Sequence, residues 1–170
     1  MIKDSGERRE FSTGAVRDIT EDKGRCDLLP LDVIAYTIEG DYKNICINIE
    51  DFKRTGDVSR LYCVLADFSN LAFDDHHLRL EQDIANMALE LAKHYEEGAK
   101  KYSERNWEKG IPLHCYMDSA TRHLLKYIRG DDDERHDRAF AWNIVGAIWT
   151  CKFKPELNEY PIGGNANNEF

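Results

Sequence analysis

An all-α fold, a helical bundle with an irregular N-terminal arm, is the class this 170-residue chain predicts. Three observations carry that expectation. Apolar residues step at three and four wherever a pattern is legible, glycines fall where those runs stop, and both ends of the chain lack periodicity. A chain that is 42% hydrophobic and 32% charged at this length supports one core, so residues 1–170 are expected to form a single domain.

The arm comes first, over residues 11–30, "FSTGAVRDITEDKGRCDLLP". Gly14 and Gly24 allow close backbone approach, and Arg17, Lys23 and Arg25 gather three cations in a short segment. Residues 38–79 then hold two shorter helices, marked by Ile45, Ile49 and Phe52 and by Val58, Leu61, Leu65 and Phe68, with "RTGD" between them. Ile45, Ile47 and Ile49 also alternate as a strand would, but the helical neighbours favour helix.

Residues 80–157 are the motif-bearing core helices. From Leu80 to Tyr102, the positions Ile84, Met87, Leu91, Tyr95, Ala99 and Tyr102 form one face of a long helix. Leu113, Tyr116, Met117, Ala120, Leu124 and Tyr127 repeat the pattern up to Ile128, and Gly130 supplies a left-handed stop. A third helix is expected from Glu134 to Cys151. Its stripe of Ala141, Ile144, Ile148 and Cys151 is flanked by Trp142, Val145 and Trp149, so it is apolar nearly all round and belongs at the centre. The termini, "MIKDSGERRE" and "PIGGNANNEF", are expected to be mobile.

Charge narrows the function classes. A formal net charge of −9 and a pI near 5.1 repel phosphate polymers and anionic membranes, which excludes a nucleic-acid-coating role. No apolar run approaches a membrane span, which needs roughly 18 residues, and the N-terminus lacks a signal peptide's apolar stretch, so a cytoplasmic location is expected. The five cysteines are scattered without a CxxC pair and read as reduced, mostly buried thiols.

The chemistry concentrates in three places. "RGDDDERHDRAFAWN" packs Asp131, Asp132, Asp133, Glu134 and Asp137 together, more acids than a helix N-terminus needs for its free amides. Glu134 and Asp137, three apart on one helix face, can share a hard divalent cation such as Mg²⁺. "HYEEGAKKY" sets His94 and Glu97 one turn apart, whereas Glu96 with Lys100 reads equally as a solvated ion pair. "GAKKYSERNWEKG" adds a basic, aromatic island, in which Trp107 either lines a pocket or simply anchors a turn. Arg122 and His123 flank an apolar stripe, as a phosphate clamp or a plain polar edge. Asn143, in an apolar helix, needs a ligand or a neighbouring helix to satisfy it. Carboxylates on two helices with cations and aromatic rings between them are the parts of a nucleoside triphosphate site.

The run from "HYEEGAKKYSERNWEKG" through "RHLLKYIRGDDDERHDRAFAWN", with the arm, resembles the phage-encoded dATP/dGTP diphosphohydrolase family, related to the all-α nucleotide pyrophosphohydrolases of MazG type. The likeness covers Phe11 to Pro30 and roughly Leu80 to Leu157. It implies a MazG-like bundle that hydrolyses purine deoxynucleoside triphosphates to monophosphate and pyrophosphate with Mg²⁺ or Mn²⁺. A dimer or tetramer in the cytoplasm of an infected host is implied as well.

On this reading Glu97, Glu134, Asp137 and Asp131 hold metal, and His123 joins them in catalysis. Lys100, Lys101 and Arg122 offset phosphate charge, and Tyr102, Asn106 and Trp107 line the base and sugar pocket. Arg17, Lys23 and Arg25 from the arm, with His136 and Asn143, complete the substrate-binding set. The MazG-type pattern joins an ExxE pair to an ExxD pair. ExxD is present as Glu134 and Asp137, ExxE is read as absent from the whole chain, and His94 with Glu97 is the nearest substitute. That departure supports an alternative, a phage protein that binds or sequesters a nucleotide without turnover. A third reading is a purely structural oligomer, and the arm can also be read as pairing with the acidic loop.

Overall fold

The computed structural model describes residues 6–19, 23–38, 40–73 and 80–161. Expectations for residues 1–5 and 162–170 lie outside the described residues. Among the described residues six α-helices carry the fold: α1 (Leu31–Ala35), α2 (Tyr42–Thr55), α3 (Ser59–Ala72), α4 (Leu80–Tyr102), α5 (Leu113–Arg129) and α6 (His136–Phe153). The chain is all-α apart from a two-stranded hairpin in the arm.

Helices α5 and α6 form the central pair. Leu113, Tyr116, Met117, Ala120 and Leu124 on α5 are fully buried, as are Phe140, Ala141, Ile144 and Ala147 on α6, because each apolar stripe faces the other. α5 ends where Gly130 takes φ +84°, a conformation glycine adopts without steric cost. α4 lies against α3 and α6 and buries Met87 and Leu91, while Ile84, expected on the same face, is 40% exposed.

The strand alternative for Ile45 to Ile49 does not occur. Ile45, Ile49 and Phe52 are buried on α2, and α3 follows after Gly56 closes the α2 terminus at φ +67°. Phe68 of α3 meets Phe140 of α6 with ring centroids 4.3 Å apart, and Tyr42 of α2 packs edge-on to Tyr127 of α5. These two helices therefore share the core of α5 and α6.

The irregular N-terminal arm carries one short regular element: strands β1 (Arg8–Glu10) and β2 (Val16–Asp18) pair antiparallel with Arg9 opposite Arg17, so Arg17 projects from a strand. One helix boundary needs correction. The last helix begins at His136 and not at Glu134. Arg135 has a non-helical backbone (φ −81°, ψ 83°), and its guanidinium reaches forward to Asp137 at 2.5 and 3.0 Å, which leaves Glu134 in the preceding loop. Glu134 and Asp137 are therefore not neighbours on one helix face. Of the thiols, Cys46 is buried, Cys63 is exposed and the other three are half-buried; all five are free.

Candidate functional site

Helices α4, α5 and α6 and strand β2 enclose a cavity of about 790 Å³. Its polar wall comes from α5, where Ser119, Arg122, His123 and Lys126 follow one another at helical spacing on the face opposite the apolar stripe. Its aromatic wall comes from α4 and α6. There Trp142 lies 5.8 Å from His94 and 6.2 Å from Tyr95, and Trp107 packs on Tyr95 and Trp149.

Arg17 reaches into this space from β2. Its guanidinium donates to Cys115 O at 3.1 Å, Ser119 Oγ at 3.2 Å and Asn143 Oδ1 at 2.9 Å, and lies over the rings of Tyr116 and Trp142. All three acceptors are neutral. Among the described residues no carboxylate lies within 4.0 Å of it, so its charge stays uncancelled at the cavity wall. The buried Asn143 answers the question its sequence position raised: its amide donates to Ala139 O and its oxygen receives Arg17.

Neighbouring polar groups hold the strand that delivers Arg17. Asn106 accepts from Val16 N at 3.0 Å and donates to Val16 O at 2.8 Å, so its buried amide acts as a third strand edge. Asp18 receives Lys101 at 2.7 Å and Tyr102 Oη at 2.8 Å. Burial, and then Asp18, push the Tyr102 phenol well above its ordinary range. Between α4 and the 3-10 turn Asn106–Lys109, Ser103 and Arg105 take positive φ, uncommon for residues with a side chain, and both line the cavity.

Near the acidic loop, His123 Nδ1 lies 3.0 Å from His136 Nδ1 and 3.5 Å from Glu134 Oε1, and His136 Nδ1 is 3.6 Å from the same oxygen. Burial, reinforced by His136, lowers His123 to about 3, and burial lowers His94 to about 4. Both rings are therefore neutral near pH 7 and available as nitrogen lone pairs. Glu134 has no lysine or arginine within 4.0 Å among the described residues. Donor atoms of His123, Glu134 and His136 all lie within 4.8 Å of one another, as do those of Asp131, Asp133 and His136.

Of the sixteen residues expected at the site, Arg17, Lys23, Tyr102, Asn106, Trp107, Arg122, His123, Glu134 and Asn143 line the cavity. Their roles differ from one another. Arg122 is tied to the buried Asp118 at 2.6 Å and to Lys23 O and Gly24 O, so it fastens the arm to α5. Lys100 pairs with Glu96 on the exposed face, as the plain ion-pair reading has it, and Arg25 pairs with Asp27. Glu97 sits on α4 outside the cavity lining, and Lys101 is spent on Asp18. The island thus lines the cavity with Tyr102, Asn106 and Trp107, and holds β2 through Lys101 and Asn106.

Asp131 and Asp137 share a smaller cavity of about 360 Å³ with Glu134 and His136, each beside its own arginine, Arg129 and Arg135. The acidic loop pairs with Lys126 and Arg129, and among the described residues no arm cation lies within 4.0 Å of its carboxylates. Glutamate pairs at ExxE spacing do exist at Glu7 with Glu10 and at Glu156 with Glu159. The first ends in strand β1 and the second spans the end of a 3-10 turn, and none of the four lines either cavity. Sequence reasoning left out Ser119, Lys126 and Trp142. The spacing of Ser119, Arg122, His123 and Lys126 along one face of α5 is the signal that finds the first two.

Neither a curated protein nor a solved structure matches the chain. A family model described as "dATP/dGTP diphosphohydrolase, N-terminal" matches residues 69–159, just over half of it. That stretch contains α4, α5 and α6 with every cavity residue except those of the arm. The chain belongs to the dATP/dGTP diphosphohydrolase N-terminal family.

Proposed function

We propose that the protein is a metal-dependent pyrophosphohydrolase of purine deoxynucleoside triphosphates, releasing monophosphate and pyrophosphate. The observation that carries this reading is Arg17, a cation held among the described residues by neutral acceptors, in a cavity whose aromatic wall adjoins it at Trp142. A polyphosphate meets the uncancelled charge, which is worth most where water is excluded, while a purine stacks against Trp142 and His94. Lys23, exposed at the rim, adds a second cation for the outer phosphates.

Water attacks the α-phosphorus, the bond from that phosphorus to the bridging oxygen breaks, and pyrophosphate leaves. Glu134 and His123 stand on the cavity wall to orient the water and accept its proton. The donor set fits a divalent cation, since among the described residues the Glu134 carboxylate has no lysine or arginine within 4.0 Å and two imidazoles face it. Such an ion, Mg²⁺ or Mn²⁺ in the family resemblance, supplies charge stabilisation at the phosphoryl oxygens and lowers the pKa of water.

The second reading is a binder without turnover, favoured by Asp131 and Asp137 each lying against an arginine. One experiment separates the two. Each common dNTP and NTP is incubated with protein, with and without Mg²⁺ or Mn²⁺, and the products are resolved. Pyrophosphate release that chelator abolishes supports hydrolysis, and tight binding of intact nucleotide supports the binder.

A further inference from the structure

We propose that His123, His136 and Glu134 form a three-point site for a first-row transition-metal ion such as Zn²⁺, Co²⁺ or Mn²⁺, with its remaining face open to the cavity. The three donor atoms, His123 Nδ1, His136 Nδ1 and Glu134 Oε1, are separated by 3.0, 3.5 and 3.6 Å. A point equidistant from atoms so placed lies about 2.0 Å from each in their plane, and Zn–N and Zn–O bonds are about 2.0–2.2 Å. An ion set slightly above that plane meets all three at bonding distance without side-chain movement, in the capping position of a tetrahedron.

The surroundings are those of a ligating histidine. His136 Nε2 is 2.8 Å from Asp133 Oδ1, and Asp133 is in turn held by Lys126 at 3.1 Å. A ring that donates Nε2–H to a carboxylate turns its Nδ1 lone pair outward, the arrangement by which a second carboxylate orients a metal-bound imidazole. That lone pair faces the Nδ1 of His123 at 3.0 Å, so a proton or a cation must lie between the two nitrogens. A proton satisfies the rings and leaves Glu134 without a partner; a cation satisfies all three groups.

Two imidazoles to one carboxylate favour transition metals over Mg²⁺, which takes oxygen ligands in near-ideal octahedral geometry. His123 and Glu134 line the large cavity, so the open face is where a phosphate oxygen or water would complete the shell. The inference rests on the hydrolase reading only for what occupies that open face.

The test uses untagged full-length protein, stripped with chelator and titrated with Co²⁺ alone, following its visible d–d absorption. The expected result is one Co²⁺ per chain, displaced by one equivalent of Zn²⁺ and not by excess Mg²⁺, with Glu134→Gln and His123→Ala each weakening Co²⁺ at least tenfold. Glu134→Gln keeps volume in a loop, so its result decides if His123→Ala fails to fold. No Co²⁺ signal in wild type, an undiminished signal in Glu134→Gln, or displacement by Mg²⁺ overturns the proposal. Because no nucleotide is present, Co²⁺ binding without dNTP turnover sinks only the hydrolase reading. Turnover with Mg²⁺ by protein that ignores Co²⁺ sinks only this one.

Discussion

Replacing Arg17 with glutamine removes the cavity's uncancelled cation while keeping an amide that can still donate to Asn143 or Ser119. If that guanidinium receives a phosphate, the variant loses one hydrogen bond to a charged group, worth about 1.5–3 kcal/mol. At about 1.4 kcal/mol per tenfold, triphosphate affinity should fall by about 10- to 150-fold. The fold should notice little. The three acceptors of Arg17 are neutral, and an unpaired acceptor costs about 1–3 kcal/mol, but the substitution also relieves a half-buried charge that has no carboxylate beside it. Calorimetric titration with dGTP, dGMP and deoxyguanosine at fixed salt, beside a melting curve, measures both effects. Affinity for dGTP should fall most and that for the nucleoside least. Wild-type dGTP affinity in Arg17→Gln, or an equal loss for all three ligands in a protein that melts normally, would refute the assignment.

Three further outcomes are expected. Glu134→Gln should abolish metal-dependent turnover whereas Asp137→Asn, which only releases Arg135, should retain most of it; equal losses in product assays would restore the two acids to one site. Gly146→Ala should destabilise by about 1–3 kcal/mol in urea titrations, because the new methyl would lie 2.4 Å from Cε1 of the buried Tyr116; a gain from helix propensity instead would mean α5 and α6 pack less closely. In chelator, His94 binds its proton near pH 6.5 when unfolded but only near pH 4 when folded. Stability is therefore full above pH 6.5 and is lost as pH falls towards 4, by about 3 kcal/mol for that shift. His123 pulls the same way, and urea midpoints that stay flat between pH 7 and 4.5 would contradict the burial of both rings.

What the sequence reveals is what local periodicity encodes. The bounds of α4 and the start of α5 follow from apolar steps of three and four, and Gly130 marks the stop. The start of α6 is two residues later than those steps indicate: Arg135 is non-helical, and its side chain pairs with Asp137 of the first turn. The hairpin has no such signal. Arg8, Arg9 and Glu10 are exposed, and β2 is pinned by Asn106, about ninety residues away in sequence.

The site divides along the same line. Residues that reach the cavity from the face of a helix, such as Arg122, His123 and Asn143, are legible from position alone. Whether a cation is left uncancelled is not, since Asp18 claims Lys101 across 83 residues and Asp118 claims Arg122 one turn away, while Arg17 meets only neutral oxygens. The convergence of His123 with His136 and Glu134 likewise depends on the angle at which α6 leaves the acidic loop, which spacing does not encode.

The most direct test of the account is a phosphorus NMR time course of dGTP with the purified protein and a divalent cation. The account predicts that dGMP and pyrophosphate appear in equal amounts, that chelator and Glu134→Gln stop both, and that dATP behaves alike. A triphosphate spectrum that stays unchanged, or products of dGDP with phosphate or deoxyguanosine with triphosphate, would contradict it.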